Sequence, residues 1–121
     1  MAQDGEFKND KKHGLWVTYF ANGNKRSEGT YDEGVKVGEW RLYHKNGTLS
    51  SEATFVKGKY TGYYCSYHDN GEIFREGYYN DYAGNSADGT KTGEWTQFDR
   101  HGNIEHVNVY KRGSKVKQPN N

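Results

Sequence analysis

Three glutamates recur at intervals of 24 residues: Glu28, Glu52 and Glu76. Paired carboxylates about 5–10 Å apart cleave glycosidic bonds, and equivalent positions two strands apart in a sheet are separated by roughly 9.6 Å, at about 4.8 Å per strand. The spacing permits that chemistry, but the repeat alone accounts for the column through contacts with nearby Lys and Arg or with water. His44 and His68 recur at the same interval and raise the question of a metal. Zinc needs each histidine nitrogen at ~2.0–2.1 Å, so two rings separated by two strands do not share an ion. Cys65 is the single cysteine; it has no partner for an internal disulfide and reads as a structural thiol rather than a nucleophile. The stretch DYAGNSAD at 81–88 is rich in oxygen ligands. No alignment of it, however, places Asp or Asn at calcium-loop positions 1, 3 and 5 with Gly at 6 and Glu at 12. Phosphate loops, nucleophile elbows and HExxH are absent from the sequence. The reading is a non-enzyme, with no catalytic, cofactor-binding or metal residue and no cofactor.

The elements that carry these residues follow from one period. Gly14, Gly38 and Gly62 are 24 apart, each followed by a ring two residues on (Trp16, Trp40, Tyr64) and another five residues on (Tyr19, Tyr43, Tyr67). A further copy starts at Gly93, with Trp95 and Phe98, after an interval of 31 that leaves seven extra residues in copy three. The pairs Asn22-Gly23, Asn46-Gly47, Asn70-Gly71 and His101-Gly102 keep step, and Gly5 and Phe7 lie one period before Gly29 and Tyr31. This predicts a half-repeat over 3–12. Full repeats follow over 13–36, 37–60, 61–91 (with an insertion near 82–88) and 92–116, and a frayed tail over 117–121. All of it forms one repeat domain spanning 1–121.

Within each copy two segments rich in Tyr, Trp, Thr and Val flank Asn-Gly, the pair that most readily supplies the positive φ angles of a type I′ hairpin turn. The Gly-bounded polar stretch that follows suits a return loop. No window has sustained 3.6-residue apolar spacing, so the expected fold is all-β: an elongated, single antiparallel sheet of consecutive hairpins. Alternation puts Lys25, Ser27, Gly29 and Tyr31 on one face, with Leu49, Ser51, Ala53, Phe55 and Ile73, Arg75, Gly77, Tyr79 at the same places. The glutamates lie on the other face. The Gly or Ala leaves room for a neighbouring ring. Trp16 and Tyr19 fall on opposite faces of an ideal strand, which calls for either cover on both faces or a distorted, Gly-rich strand start. Burying one large ring stabilises by at most roughly 4–6 kcal/mol, while ordering each backbone residue costs ~1–2 kcal/mol. A lone hairpin therefore does not stand, and stability comes from neighbouring copies.

The copies GLWVTYFANGNKRSEGTY, GEWRLYHKNGTLSSEATF, GYYCSYHDNGEIFREGYY and GEWTQFDRHGNIEHVNVY resemble the MORN repeat. More narrowly they are similar to the variant with an Asn-Gly turn and a following Glu-Gly-x-Tyr, found in bacterial proteins labelled antitoxin components. The resemblance spans about residues 3–116 and implies a twisted sheet of hairpins used mostly for protein contacts and sometimes for lipids. The last copy departs from the pattern, with His101 at the turn Asn and Val107 at the glutamate place, and reads as a terminal cap.

With 16% aromatic residues in a chain only 31% hydrophobic and a net charge of +1, the composition favours order but gives no reason to expect nucleic acid or an anionic membrane. The expected function is a protein-interaction module or scaffold presenting rings, with Trp16, Trp40, Tyr64 and Trp95, and Tyr82 in the insertion, as candidate contact residues. Three alternatives stand beside it: an antitoxin-like protein neutralising a partner toxin, a glycan-binding module and, from the resemblance and Lys12, Lys36 and Lys91, a lipid-headgroup binder. The exposed edge of the half-repeat is a place for strand addition or self-association. The given chain has no signal-like start, and the cytoplasm is the favoured compartment.

Overall fold

The computed structural model describes residues 3–80, 89–111 and, for the backbone alone, 114–116. Ten strands follow in chain order: β1 Gln3–Lys8, β2 Lys11–Tyr19, β3 Lys25–Asp32, β4 Val35–Tyr43, β5 Leu49–Val56, β6 Lys59–Tyr67, β7 Ile73–Tyr79, β8 Lys91–Phe98, β9 Ile104–Lys111 and β10 Ser114–Val116. Each pairs antiparallel with its sequence neighbours, so the sheet order is the chain order. Every regular element among the described residues is a strand, as the alternating pattern and the glycine density require.

The register departs from an ideal ladder at the same place in each copy. Glu28 pairs with Arg41 and Thr30 with Val37, so Gly38, Glu39 and Trp40 together face Gly29 alone. The same three-against-one arrangement sets Gly14 to Trp16 against Gly5, Gly62 to Tyr64 against Ala53, and Gly93 to Trp95 against Gly77. Each triplet opens with a glycine at positive φ (78°, 72°, 67° and 68° for Gly14, Gly38, Gly62 and Gly93), a conformation that side chains with a Cβ resist. The distorted strand start is thus the answer to the opposed faces of Trp16 and Tyr19. A second irregularity leaves Arg26 unpaired between Ser27 and Lys25. Lys25 thereby crosses to the glutamate face, where its Nζ sits 3.2 Å from Glu28. The expected Lys25, Ser27, Gly29, Tyr31 face is corrected at its first member.

The turn assignment is also corrected. The tight two-residue turns with both φ positive are the return connections, Glu33-Gly34 (50°, 83°), Lys57-Gly58 (50°, 82°) and, ahead of them, Asn9-Asp10 (54°, 67°). At the Asn-Gly pairs only the glycine is left-handed. Gly23 N–H donates to the Phe20 carbonyl at 2.9 Å, and Phe20 N–H to Asn24 O at 2.8 Å, which makes a wider turn. The reason lies in the asparagine side chain. Asn22 Oδ1 accepts from Asn24 N–H at 2.9 Å while its Nδ2 donates to Lys45 O of the next copy at 2.9 Å. Asn46 bonds Thr48 N–H and Asp69 O in the same way, and Asn70 bonds Glu72 N–H and Arg100 O. A ladder of amides therefore ties successive turns together along one margin of the sheet. Replacing Asn46 with alanine removes two of these bonds and is expected to cost about 1–2 kcal/mol, read as a lower urea midpoint with an unchanged slope.

Candidate functional site

One face carries a continuous file of rings. Phe7, Trp16, Tyr31, Trp40 and Phe55 meet edge to face at centroid distances of 5.1, 6.2, 5.0 and 6.4 Å. The file runs on through Tyr60, Tyr64, Tyr79 and Trp95 to Tyr110. Each indole lies flat on a glycine of the preceding strand: a Cβ on Gly5, Gly29 or Gly77 would fall 2.2, 2.0 or 2.2 Å from Trp16, Trp40 or Trp95. The indole N–H groups donate to the carbonyls of Glu6, Thr30 and Tyr78, one residue after those glycines, at 3.0, 3.1 and 2.9 Å. In copy three both partners change together, Tyr64 for Trp and Ala53 for Gly, so the smaller ring meets the larger neighbour.

Lysines close this file from above. Lys12 Nζ stands 4.9 and 5.1 Å from the Trp16 and Tyr31 rings, Lys36 4.8 and 5.3 Å from Trp40 and Phe55, and Lys91 4.7 and 5.0 Å from Trp95 and Tyr110. Electron-rich ring faces attract the ammonium group. Copy three again differs: Tyr60 holds the lysine's place and stacks on Tyr79 at 4.6 Å. Burial pushes the Tyr79 phenol up to about 12, with the neighbouring Tyr60 adding to it.

The opposite face carries the carboxylates, and phenols engage them. Tyr19 donates to Asp4 at 3.1 Å, Tyr43 to Glu28 at 2.7 Å and Tyr67 to Glu52 at 2.8 Å. Phe98 ends that series, and Glu76 accepts from Tyr63 instead, at 2.6 Å. The Tyr43 hydroxyl, with Lys25, holds the Glu28 carboxyl below its ordinary range. Glu28 therefore adds stability above about pH 4.5, and loses it as pH falls through the depressed value. Tyr43→Phe is expected to lower stability by about 1 kcal/mol at neutral pH and by less near pH 3, measured by urea unfolding at both. Cys65, fully buried, lies beneath Tyr63 and Tyr67 between the strands of Glu52 and Glu76. Burial and these neighbours push both phenols well above the ordinary tyrosine range.

Copy three opens a groove of about 360 Å³ on this face, lined by Tyr63, Glu76, Gly77, Tyr78, Glu94 and Thr96. Tyr63 and Tyr78 are 41% and 55% exposed and meet at 5.4 Å with planes 60° apart. The corresponding groove of copy two is about 170 Å³ and contains a Glu39–Arg41 ion pair at 3.5 Å.

A family model described as a MORN repeat variant matches residues 12–33, 36–57 and 60–81, over half of the chain. The chain belongs to the MORN repeat family. Repeats of this family generally serve in binding modules that mediate protein or membrane-lipid contacts. No curated protein matches it. Among solved structures, the crystal structure of TarM aligns over 96% of this chain and 20% of its own length, at 10% identity and a TM-score of 0.46. The chain thus spans about a fifth of that protein's length.

The MORN scaffold reassigns the residues that the sequence singled out. Trp16, Trp40 and Trp95 are 4%, 5% and 3% exposed, and Tyr64 is packed among Tyr60, Tyr79 and Trp95. The sequence offers these rings as contact residues; in the fold they are held by the array itself, the bulge turning each one down onto the preceding strand. Tyr82 and the insertion lie outside the described residues, although the insertion's base is held where Asn80 N–H donates to Thr90 O at 2.8 Å. His44 and His68 donate from Nε2 to the carbonyls of Tyr67 and Phe98, at 2.9 and 3.0 Å, and so clasp neighbouring copies. Among the described residues no group of three or more His, Cys, Asp or Glu could hold a metal ion. β1 is exposed along its whole length. Tyr63 and Tyr78 were missed by sequence reasoning, although a signal existed. The other copies carry Leu15, Glu39 and Glu94 at the first place and Thr30, Thr54 and Val109 at the second, so the tyrosine pair belongs to copy three alone.

Proposed function

We propose that this chain is a protein-binding module whose contact surface is the carboxylate face, centred on Tyr63 and Tyr78. One observation carries this reading: two half-exposed rings stand together on rigid central strands, at the place where the repeat is broken. Tyrosine anchors with few rotatable bonds are favoured at interfaces, and a position that departs from the period is not explained by stacking of copies. The ring file on the other face serves as the spine that keeps this surface rigid. The antitoxin-like form of the function is the case in which the partner is a toxin, and a toxin reading frame adjoining this one would support it.

The test is quantitative. Once a binding protein has been identified by co-purification, its affinity for the intact chain is compared with that for Tyr63→Ala/Tyr78→Ala. A loss of at least tenfold is expected, since truncated hot-spot residues typically cost about 2 kcal/mol or more. Trp emission, reporting the ring file, should be unchanged. Equal affinity of the two chains removes this face from the reading.

A further inference from the structure

We propose that the groove between Tyr63 and Tyr78 receives a lysine or arginine side chain from a partner polypeptide, held over the two rings beside the carboxylates of Glu76 and Glu94. The inference rests on the carboxylate face being the protein-binding surface, and it names the chemistry of what binds there.

The molecule supplies its own precedent. On the ring-file face, three ring couples each carry a lysine ammonium group within about 5 Å of the centroids, from Lys12, Lys36 and Lys91. The Tyr63–Tyr78 couple has the same kind of face available but no cation over it among the described residues. The local charge is complementary to one. Among the described residues, Glu94 is exposed and makes no ion pair, and the Glu76 carboxylate accepts only the Tyr63 hydroxyl. In copy two Arg41 pairs with Glu39; the place of Arg41 is taken by Cys65 in copy three and Thr96 in copy four, so no arginine lines this groove beside Glu76 and Glu94. An ammonium or guanidinium group entering here gains ring faces and two carboxylates together. An acidic segment would meet repulsion, and a neutral sugar would leave the carboxylates without a cation.

The full chain is titrated calorimetrically with N-acetylated, amidated tetralysine, with the tetraglutamate and tetraserine counterparts, and with a neutral oligosaccharide. Tetralysine is expected to bind, and to weaken as salt rises from about 50 to about 300 mM. Tyr78→Ala and Glu94→Gln should each weaken it by about 3- to 5-fold. Tyr78→Phe, which keeps the ring, should retain it, and Glu39→Gln in copy two should leave it unchanged. Equal binding of tetraglutamate, indifference to Tyr78→Ala, or binding of the oligosaccharide alone overturns the inference. If no tetralysine binds while an identified protein partner is still lost on Tyr63→Ala/Tyr78→Ala, the cation inference fails and the protein-binding function stands. If that partner is retained by the double variant, the function itself falls.

Discussion

Gly29→Ala is expected to destabilise the array by about 2–3 kcal/mol or more, at the upper end of what overpacking costs. The added methyl carbon would lie 2.0 Å from Cδ2 of Trp40 and 2.2 Å from its Cε2, well inside contact distance. The indole cannot swing aside cheaply. Tyr31 and Phe55 flank it, and its N–H is committed to Thr30 O at 3.1 Å, a bond that would be lost in a site only 5% exposed. Trp40→Ala, the opposite change, removes the ring and should cost about 3–5 kcal/mol. Copy three supplies the control. Tyr64→Trp sets an indole against the methyl of Ala53 and is expected to destabilise, whereas Ala53→Gly/Tyr64→Trp recreates the pairing of the other copies and should recover most of the loss. That is a coupling of about 1–3 kcal/mol in a double-mutant cycle, measured by guanidinium unfolding followed by Trp emission and by circular dichroism. Additive effects in the cycle would show that ring and small residue do not act as a pair.

At alkaline pH the whole sheet is expected to unfold cooperatively between about pH 10 and 12. Tyr79, Tyr60, Tyr63, Tyr67 and Tyr43 all have phenols raised above their ordinary value of about 10, in each case with burial as the leading cause. A raised folded-state value means that the native protein keeps a proton the unfolded chain gives up. The stabilisation is therefore complete below about pH 10 and drains away as pH rises toward the folded-state values, about 12 for Tyr79. The physical source is twofold. A phenolate at Tyr60 or Tyr79 would be desolvated inside the ring file, and one at Tyr63, Tyr67 or Tyr43 would face the carboxylate to which it now donates. Absorbance near 295 nm should show many of the 11 tyrosines ionising in one step that coincides with loss of the sheet signal in circular dichroism. Tyr79→Phe, free of the ionisable group, should move that step to higher pH. Graded ionisation around pH 10 with the sheet intact would show that the phenols are not coupled to the fold.

Much of this was legible in the chain. The 24-residue spacing of Gly14, Gly38 and Gly62, with rings two and five residues on, predicts an all-β array of neighbouring copies. The Gly or Ala at 29, 53 and 77 announces a ring lying over it. Both are local properties: strand and turn preferences are set by each residue's own backbone limits, and a period copies one solution along the chain. The turn types were less legible. Asn-Gly favours the type I′ turn in isolation, but here the asparagine amide bonds the next copy's carbonyl, and that partner exists only once copies are stacked.

The sites depended on still more distant partners. The burial of Trp16, Trp40 and Trp95 could not be read from the chain, because exposure is decided by a register irregularity, three residues against one, that no period states. The spacing of Glu28, Glu52 and Glu76 announced a column; which hydroxyl engages each carboxylate was settled by pairing across strands 13 to 15 residues apart in sequence. Sequence alone determined the repeat, the strand and the small residue beneath each ring, because these follow from short-range sterics and alternation. Only tertiary structure decided which rings are covered and which, at Tyr63 and Tyr78, remain half-exposed, because exposure belongs to the stacked sheet and not to any single copy.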